Sequence, residues 1–418
     1  GSIYFGCREP HLPLELGYAA ALLGAHGHDA RIFDAQLYGL TNEDLAARVR
    51  AFRPEMTVVT TAPSYLFWRC PPPELRAPLE TLRALEGTGS VTVAVGPHGS
   101  TTPRAVLRKL GVDLVVMGEC EAVLVDLADA GRTAVRDVSS VAYRDGDDVR
   151  VRGKARATDM RSLPPLVWEG AALERHRHHH HRFDASPEGP GAEVEASRGC
   201  PYHCTFCAKV DFRDAYRKRP LEIIERELDG LIARGVGYVY FVDEIFLPDR
   251  ALLDAIAARP LRFGVQLRID NWSPDDLDDL GAAGCVSVEA GVESLTDEGR
   301  SLLAKRCKLS TEALSERLIH AKRSIPFVQA NLLDSKTDAA ADIAAWRARL
   351  AAHGVWANEP VPLFPYPASP GYQSRWGAPD DEAWERAHAH YLAENGRFSD
   401  IQDRAPKSLD DLERGARG

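Results

Sequence analysis

Three things are missing from these 418 residues. No apolar run reaches the ~20 residues that a membrane-spanning helix needs, and the start shows no basic segment followed by an apolar core, as a secretion signal would. No excess of positive charge is present either: 51 Lys and Arg stand against 61 Asp and Glu, a formal net charge of −10. That balance argues against a general nucleic-acid surface, which would be basic. The third absence is a disulfide framework. Of eight cysteines, Cys7, Cys70, Cys120, Cys285 and Cys307 are scattered, and most read as small buried hydrophobes. With no secretion signal, this pattern fits a reducing cytoplasm. What is present is an ordinary globular composition, 44% hydrophobic and 27% charged, with room for two or three domains of about 100–200 residues.

The remaining cysteines carry the most information. Cys200, Cys204 and Cys207 form a Cys-x₃-Cys-x₂-Cys pattern with Phe206 just before the last. Thiolates this close in sequence can converge on one metal centre, and soft sulfur selects iron–sulfur clusters or zinc. A structural zinc wants four ligands. The alternatives are therefore a three-cysteine iron–sulfur site, a zinc knuckle completed by His203, or three unrelated thiols. Context favours the first. The triplet follows a strand-like run at 192–196 and opens a series of strand–helix units, which a zinc knuckle does not need.

Residues 1–130 alternate apolar runs at 3–5, 30–33, 56–60, 91–95 and 114–117 with helical patterns at 14–25, 42–52, 74–86 and 102–110. Such alternation predicts a doubly wound, mainly parallel α/β sheet, whose ligands bind beyond the carboxyl ends of the strands. A connector follows at 131–190: a hairpin over 138–151 turning at Asp145-Gly-Asp-Asp, then Pro-rich irregular sequence and a histidine- and arginine-rich run at 175–182, to which no role is assigned. From 191 to 375 six strand–helix units succeed one another, and in barrels built of such units active residues gather at the carboxyl ends of the strands. Residues 376–418 read as a tail with one helix at 380–394.

Taken together, the triplet and the six units after it resemble the radical S-adenosylmethionine (SAM) enzymes. The stretches LPLELGYAAALLGAHGHDARIFDA at 12–35, VGPHGSTTP at 95–103 and MGECE at 117–121 resemble the cobalamin-binding domains that precede the barrel in one branch of that family. The resemblance implies an N-terminal Rossmann-like cobalamin-binding domain followed by a partial (β/α)₆ radical SAM barrel. It implies a [4Fe–4S] cluster on Cys200, Cys204 and Cys207 with one iron left for SAM. SAM would be held near Asp243, Glu244, Arg268, Glu289 and Glu293, and cobalamin near Tyr65, Leu66, Gly96, Pro97, His98, Gly118 and Glu119. Gly96 and Gly118 would let backbone approach a large flat ligand. The domain lacks the Asp-x-His-x-x-Gly signature that supplies an axial imidazole, so no histidine ligand is expected from that motif, and 65–69 could cover the lower face. Glu293, Tyr366 and Tyr372 are the candidates nearest the chemistry.

The implied activity is reductive cleavage of SAM to a 5′-deoxyadenosyl radical, removal of hydrogen from an unactivated carbon of a small molecule, and methyl transfer from methylcobalamin. The electron would come from a flavodoxin- or ferredoxin-type donor. The runner-up keeps cobalamin but performs a rearrangement or oxidation without methyl transfer. A reading from another class is a zinc-binding module without catalysis.

Overall fold

The computed structural model describes residues 11–62, 73–176, 189–395, 397–398 and 407–408. The expected strand at 3–5, Cys7, Cys70, the loop containing Tyr65 and Leu66, and the histidine-rich run beyond His176 lie outside them. The chain divides into two compact units. The first comprises Gly1–His176, Cys207–Ala215 and Pro365–His390; the second comprises Arg177–Phe206, Tyr216–Phe364 and Tyr391–Gly418.

In the first unit a five-stranded sheet runs in the order β1 (Met56–Thr60), β2 (Val91–Val95), β3 (Leu114–Val116), β4 (Val141–Asp145) and β5 (Asp148–Arg152). The first three strands are parallel and the last two antiparallel. The hairpin expected after 138 thus adds to the first sheet, pairing Val116 with Val141. β2 and β3 are apolar on both faces, with Val93, Ala94, Val95, Leu114, Val115 and Val116 all buried, as strands covered by helices must be. The helix Pro103–Leu110 shows why its sequence folds so: Pro103 presets the first turn, Ala105, Val106, Leu107 and Leu110 form its buried side, and Gly111 at φ +68° ends it. The expected strand at 30–33 does not form. None of its residues is buried, and Arg31 pairs with Asp29 and lies over the Phe52 ring instead. Without burial an apolar tetrapeptide has no reason to join a sheet.

The second unit contains six parallel strands, β6 (Gly191–Val194), β9 (Tyr238–Phe241), β10 (Arg262–Arg268), β11 (Cys285–Glu293), β12 (Phe327–Leu332) and β13 (Trp356–Ala357), with a small ribbon of β7 (Ser197–Arg198) and β8 (Arg217–Lys218) between the first two in sequence. The sheet order is β13-β12-β11-β10-β9-β6. Each new strand lies beside the one before it, the order a partial (β/α)₆ barrel requires. The helices between them are Leu221–Ile232, Arg250–Ala257, Pro274–Ala282, Thr311–Ala321 and Ala340–Ala352, with the short Asp297–Leu302 between β11 and Thr311. Their starts are marked in the sequence: Asp249 and Ser310 accept from the first turn, and Ser273 with Asp276 makes a reciprocal capping box. Cys285 and Cys120 are buried, as expected for scattered cysteines, and burial pushes the Cys285 thiol up to about 12. No helix among the described residues is long and apolar enough to cross a membrane.

Two glycines test the packing of the first unit. A methyl group on Gly118, at φ +84°, would sit 2.1 Å from the Arg156 carbonyl oxygen and 2.4 Å from its nitrogen, where Glu119 N–H donates to Arg156. At Gly111 a methyl group would meet nothing within 4 Å. Gly118→Ala should therefore cost about 2–4 kcal/mol and Gly111→Ala about 1 kcal/mol, read by chemical denaturation. Equal costs would mean that the strap at Arg156 yields freely.

Candidate functional site

The cysteine loop leaves β6 under tight control of its backbone. Asp243, at the end of β9, accepts from Ala196 N–H at 2.8 Å and from the Ser197 hydroxyl. Its neighbour Glu244 accepts from Gly199 N–H at 2.9 Å. From the other side Arg219 donates to the Glu195 carbonyl at 3.0 Å, and its N–H to the Ala196 carbonyl at 2.8 Å. Arg219 is itself held in a buried ion pair with Glu227 at 2.6 Å, and Arg198 pairs with Glu195 at 2.7 Å, both pairs almost wholly removed from solvent. Such pairs are costly to break because the survivor is a buried charge. Asp243 and Glu244, expected near SAM, are thus placed where their carboxylates orient the chain just before Cys200.

Cys200 and Cys204 follow in irregular, half-buried chain, and Cys207, also half-buried, opens the 207–215 segment. None of the three is in a disulfide. Burial pushes the Cys204 thiol up, and the Lys305 ammonium opposes this. Thr205 N–H donates to the Leu303 carbonyl at 3.0 Å, anchoring the loop to the turn after the helix Asp297–Leu302. In the first unit, Arg213 reaches Glu15 at 2.8 Å in an ion pair with side chains only 2% and 3% exposed, and Phe212 packs on Ala62. Among the described residues no group of three or more His, Cys, Asp or Glu is assembled for a metal ion; the triplet's claim rests on its spacing and on the thiolate chemistry.

The end of β10 carries the richest cluster. Arg268, expected near SAM, is the last residue of β10; Asp270 sits in the one-turn helix Ile269–Asn271 and folds back onto the guanidinium at 3.1 and 2.7 Å. Burial works against the Arg268 charge, but the Asp270 bond and charge overcome it and its pKa rises; the same partner holds Asp270 low. Arg268 also donates to the Lys305 carbonyl at 2.6 Å and lies 3.8 Å over the Tyr202 ring. Its Nη1, Gln266 Oε1 and Asn271 Nδ2 are buried polar atoms with no partner among the described residues. Three such atoms around one strand end are what an absent polar ligand would leave.

Lys305 escaped the sequence reading. Its ammonium, 1% exposed, donates to the Gly291 carbonyl at 2.9 Å and to Glu293 at 3.0 Å. Glu293 adopts φ +71°, an uncommon conformation for its type, where the β11–β12 register shifts. No local pattern flags Lys305, which follows a short polar helix and reads as a solvated lysine. Deeper in the barrel, register aligns Gln266, Glu289 and Gln329 across three strands. Tyr240 donates to Glu289 at 3.4 Å and Gln329 to Asn331 at 2.6 Å.

In the first unit the loops at the carboxyl ends of β1, β2 and β3 are knitted together. His98, fully buried, bonds Thr61 at 3.1 Å, and Ser100 accepts from Gly118 N–H at 2.8 Å. Pro97 starts the short helix Pro97–Thr101. Glu119 and Glu121 both hold Thr158, at 3.1 Å to its N–H and 2.8 Å to its hydroxyl. A methyl group on Gly96 would lie 2.5 Å from the Thr61 hydroxyl. At both Gly96 and Gly118 a side chain would collide with packed neighbours, Thr61 and Arg156. The three loops still form one connected rim where a parallel sheet binds its ligand, and on that ground the site fits a flat cofactor. Tyr366 and Tyr372 belong to the first unit and are buried. The Tyr372 phenol accepts from Arg386 at 2.8 Å, and its ring packs on Trp376.

Burial, with Glu195 and Glu244 nearby, raises Asp243 to about 8 despite its bonds to Ser197 and Ala196. The folded chain then holds a proton that an unfolded chain releases near pH 4, so this carboxyl costs stability increasingly as pH rises from about 4 to about 8. The stability of wild type should fall relative to Asp243→Asn across that window, measured by denaturation at pH 5 and pH 8. An unchanged difference would show an ordinary carboxylate.

The B12 binding domain model matches residues 7–128 and the Radical SAM superfamily model residues 194–344. The chain is 24% identical over 295 residues to an uncharacterized methyltransferase of Pyrococcus horikoshii, covering 68% of this chain and 61% of that protein. It is 27% identical over 308 residues to the anaerobic magnesium-protoporphyrin IX monomethyl ester cyclase of Cereibacter sphaeroides, covering 68% of this chain and 47% of that protein. The chain spans about half to three fifths of the length of these relatives. Its fold is similar to that of TsrM, a radical SAM methyltransferase from Kitasatospora setae solved with tryptophan substrate and a SAM analogue bound: TM-score 0.69, 18% identity, 87% of this chain and 72% of that one. Residues 7–128 thus form a B12 binding domain and residues 194–344 a radical SAM domain, and the cofactors of this pair are a [4Fe–4S] cluster, SAM and cobalamin.

Proposed function

We propose that this protein is a cobalamin-dependent radical SAM enzyme that methylates an unactivated carbon of a small molecule, reduced by a flavodoxin- or ferredoxin-type donor in the cytoplasm. The observation that carries the reading is the buried cluster at the end of β10: Arg268, Lys305 and Glu293 gathered near Cys204, with Arg268 Nη1, Gln266 Oε1 and Asn271 Nδ2 lacking partners among the described residues. An amino-acid zwitterion such as the methionine end of SAM offers both a carboxylate for an arginine and an ammonium for amide and carboxylate oxygens.

Cys200, Cys204 and Cys207 would hold the cluster. The rim of Gly96, Pro97, His98, Gly118 and Glu119 would hold cobalamin, together with Tyr65 and Leu66. When bound, these groups supply a carbon-centred radical strong enough to take hydrogen from an unactivated carbon, and a methyl group to replace it. The chain's own part is placement. Asp243 and Glu244 fix the backbone that leads into the cysteines, Arg219 fixes it from the opposite side, and Lys305 neutralises Glu293 while bonding the β11 backbone. Arg268, already charged and braced by Asp270, can meet a carboxylate without reorganising. Tyr366 and Tyr372 act as packing residues of the first unit.

A second reading keeps the same cofactors without methyl transfer, and the likeness to a ring-forming cyclase supports it. Product mass separates the two: methylation adds one CH₂ to the substrate, whereas rearrangement or oxidation does not. Two substitutions probe the site itself. Cys204→Ala should lose SAM cleavage altogether, measured as 5′-deoxyadenosine. Arg268→Gln should weaken SAM binding about 10- to 100-fold, about 1.4–2.8 kcal/mol, while leaving iron content unchanged. Unaltered SAM affinity would remove Arg268 from the site.

A further inference from the structure

A tryptophan from beyond the barrel strands lies on the loop of the first unit that the preceding reading gives to cobalamin. Trp384, near the start of the helix Ala383–Glu394, is 6% exposed. Its ring lies 4.2 Å from that of His98 at an interplanar angle of 36°, and its indole N–H donates to the Thr102 hydroxyl at 3.1 Å. Thr102 in turn donates to the His98 carbonyl at 3.2 Å. One side chain thus touches both ends of Pro97–Thr101, a helix of five residues whose N-cap, Gly96, offers no side chain. A single turn of that length does not persist alone in water. Its shape is set by what holds it: Thr61 on the His98 ring, Ser100 between the Gly96 carbonyl and Gly118 N–H, and Trp384 across the outside.

We propose that Trp384 is a positioning residue for cobalamin, acting through His98 to keep the 96–101 turn in its binding shape. The nearby polar ties at the start of this helix have a different character. Lys109 to Glu385 and to the Asp381 carbonyl, each at 2.7 Å, and Arg108 to Asp381 are largely exposed; such pairs contribute little. They bring the helix back to this face. The buried indole, with its large apolar area and a polar edge, fixes the turn. Among the first unit's buried aromatic side chains, Trp384 bonds the loop by ring and by N–H together. The inference rests on the reading of 96–101 as part of the cobalamin rim.

The test uses the full chain, anaerobically reconstituted with iron and sulfide, with hydroxocobalamin as the probe. Corrinoid Kd, iron per chain and SAM Kd are measured on each variant. Trp384→Ala should bind hydroxocobalamin roughly tenfold more weakly, about 1.4 kcal/mol, with iron content and SAM affinity as in wild type. Trp384→Phe, which keeps a ring on His98, should recover most of the affinity. Trp384→Ala combined with His98→Ala should be no weaker than the weaker single variant, because a residue acting through another gives non-additive effects. The proposal is overturned by wild-type corrinoid affinity in Trp384→Ala, by joint loss of iron, SAM and corrinoid binding, or by additive effects in the double variant. Failure of wild type itself to bind hydroxocobalamin would instead overturn the cobalamin reading of the rim.

Discussion

Two adjacent carboxylates decide where the cysteine loop begins. Asp243 and Glu244 leave the end of β9 and accept three bonds from the chain at Ala196, Ser197 and Gly199. Irregular backbone has no ladder of its own, so its N–H groups must find partners elsewhere or remain costly. Here the partners come from the neighbouring strand of the sheet, and they bring the cost of buried charge with them: Asp243 is pushed up to about 8. Arg219, clamped by Glu227, closes the other side. A loop held so firmly at its root can present thiols in one arrangement, which a cofactor with fixed geometry requires.

The same economy governs the first unit. Its parallel strands end in loops that would be mobile if left alone, and side chains tie each to the next: Thr61 to His98, Ser100 to Gly118, Glu119 and Glu121 to Thr158. Glycine at 96 and 118 is what close backbone contact demands, with Thr61 and Arg156 filling the room a methyl group would need. A glycine in a binding loop is thus not by itself a sign of the ligand. It can record how the loop is packed from behind.

Much of this was legible in the sequence, and for physical reasons. The strands of the barrel announce themselves because parallel strands buried on both faces are continuous apolar runs, and Tyr238–Phe241 is buried along its whole length. Helix starts are legible through Ser273, Ser310 and Asp249, whose side chains do local work that needs no tertiary partner. What escaped is whatever depends on distant chain. Lys305 becomes informative only once Glu293 and Gly291 are beside it, and Trp384 only once its helix meets His98, nearly 300 residues earlier. The return of Asp270 onto Arg268 is hidden too, because alternation along a strand says which face a residue takes but not where the strand stops. The run at 30–33 failed because apolarity without burial makes no strand.

The central claim is that one chain carries both a three-thiolate iron–sulfur site and a corrinoid site. Elemental analysis after anaerobic reconstitution with iron, sulfide and hydroxocobalamin reads this most directly. The account predicts about four iron and about one cobalt per chain, with iron lost when Cys200, Cys204 and Cys207 are all replaced by alanine and cobalt retained. About one zinc with neither iron nor cobalt would contradict it.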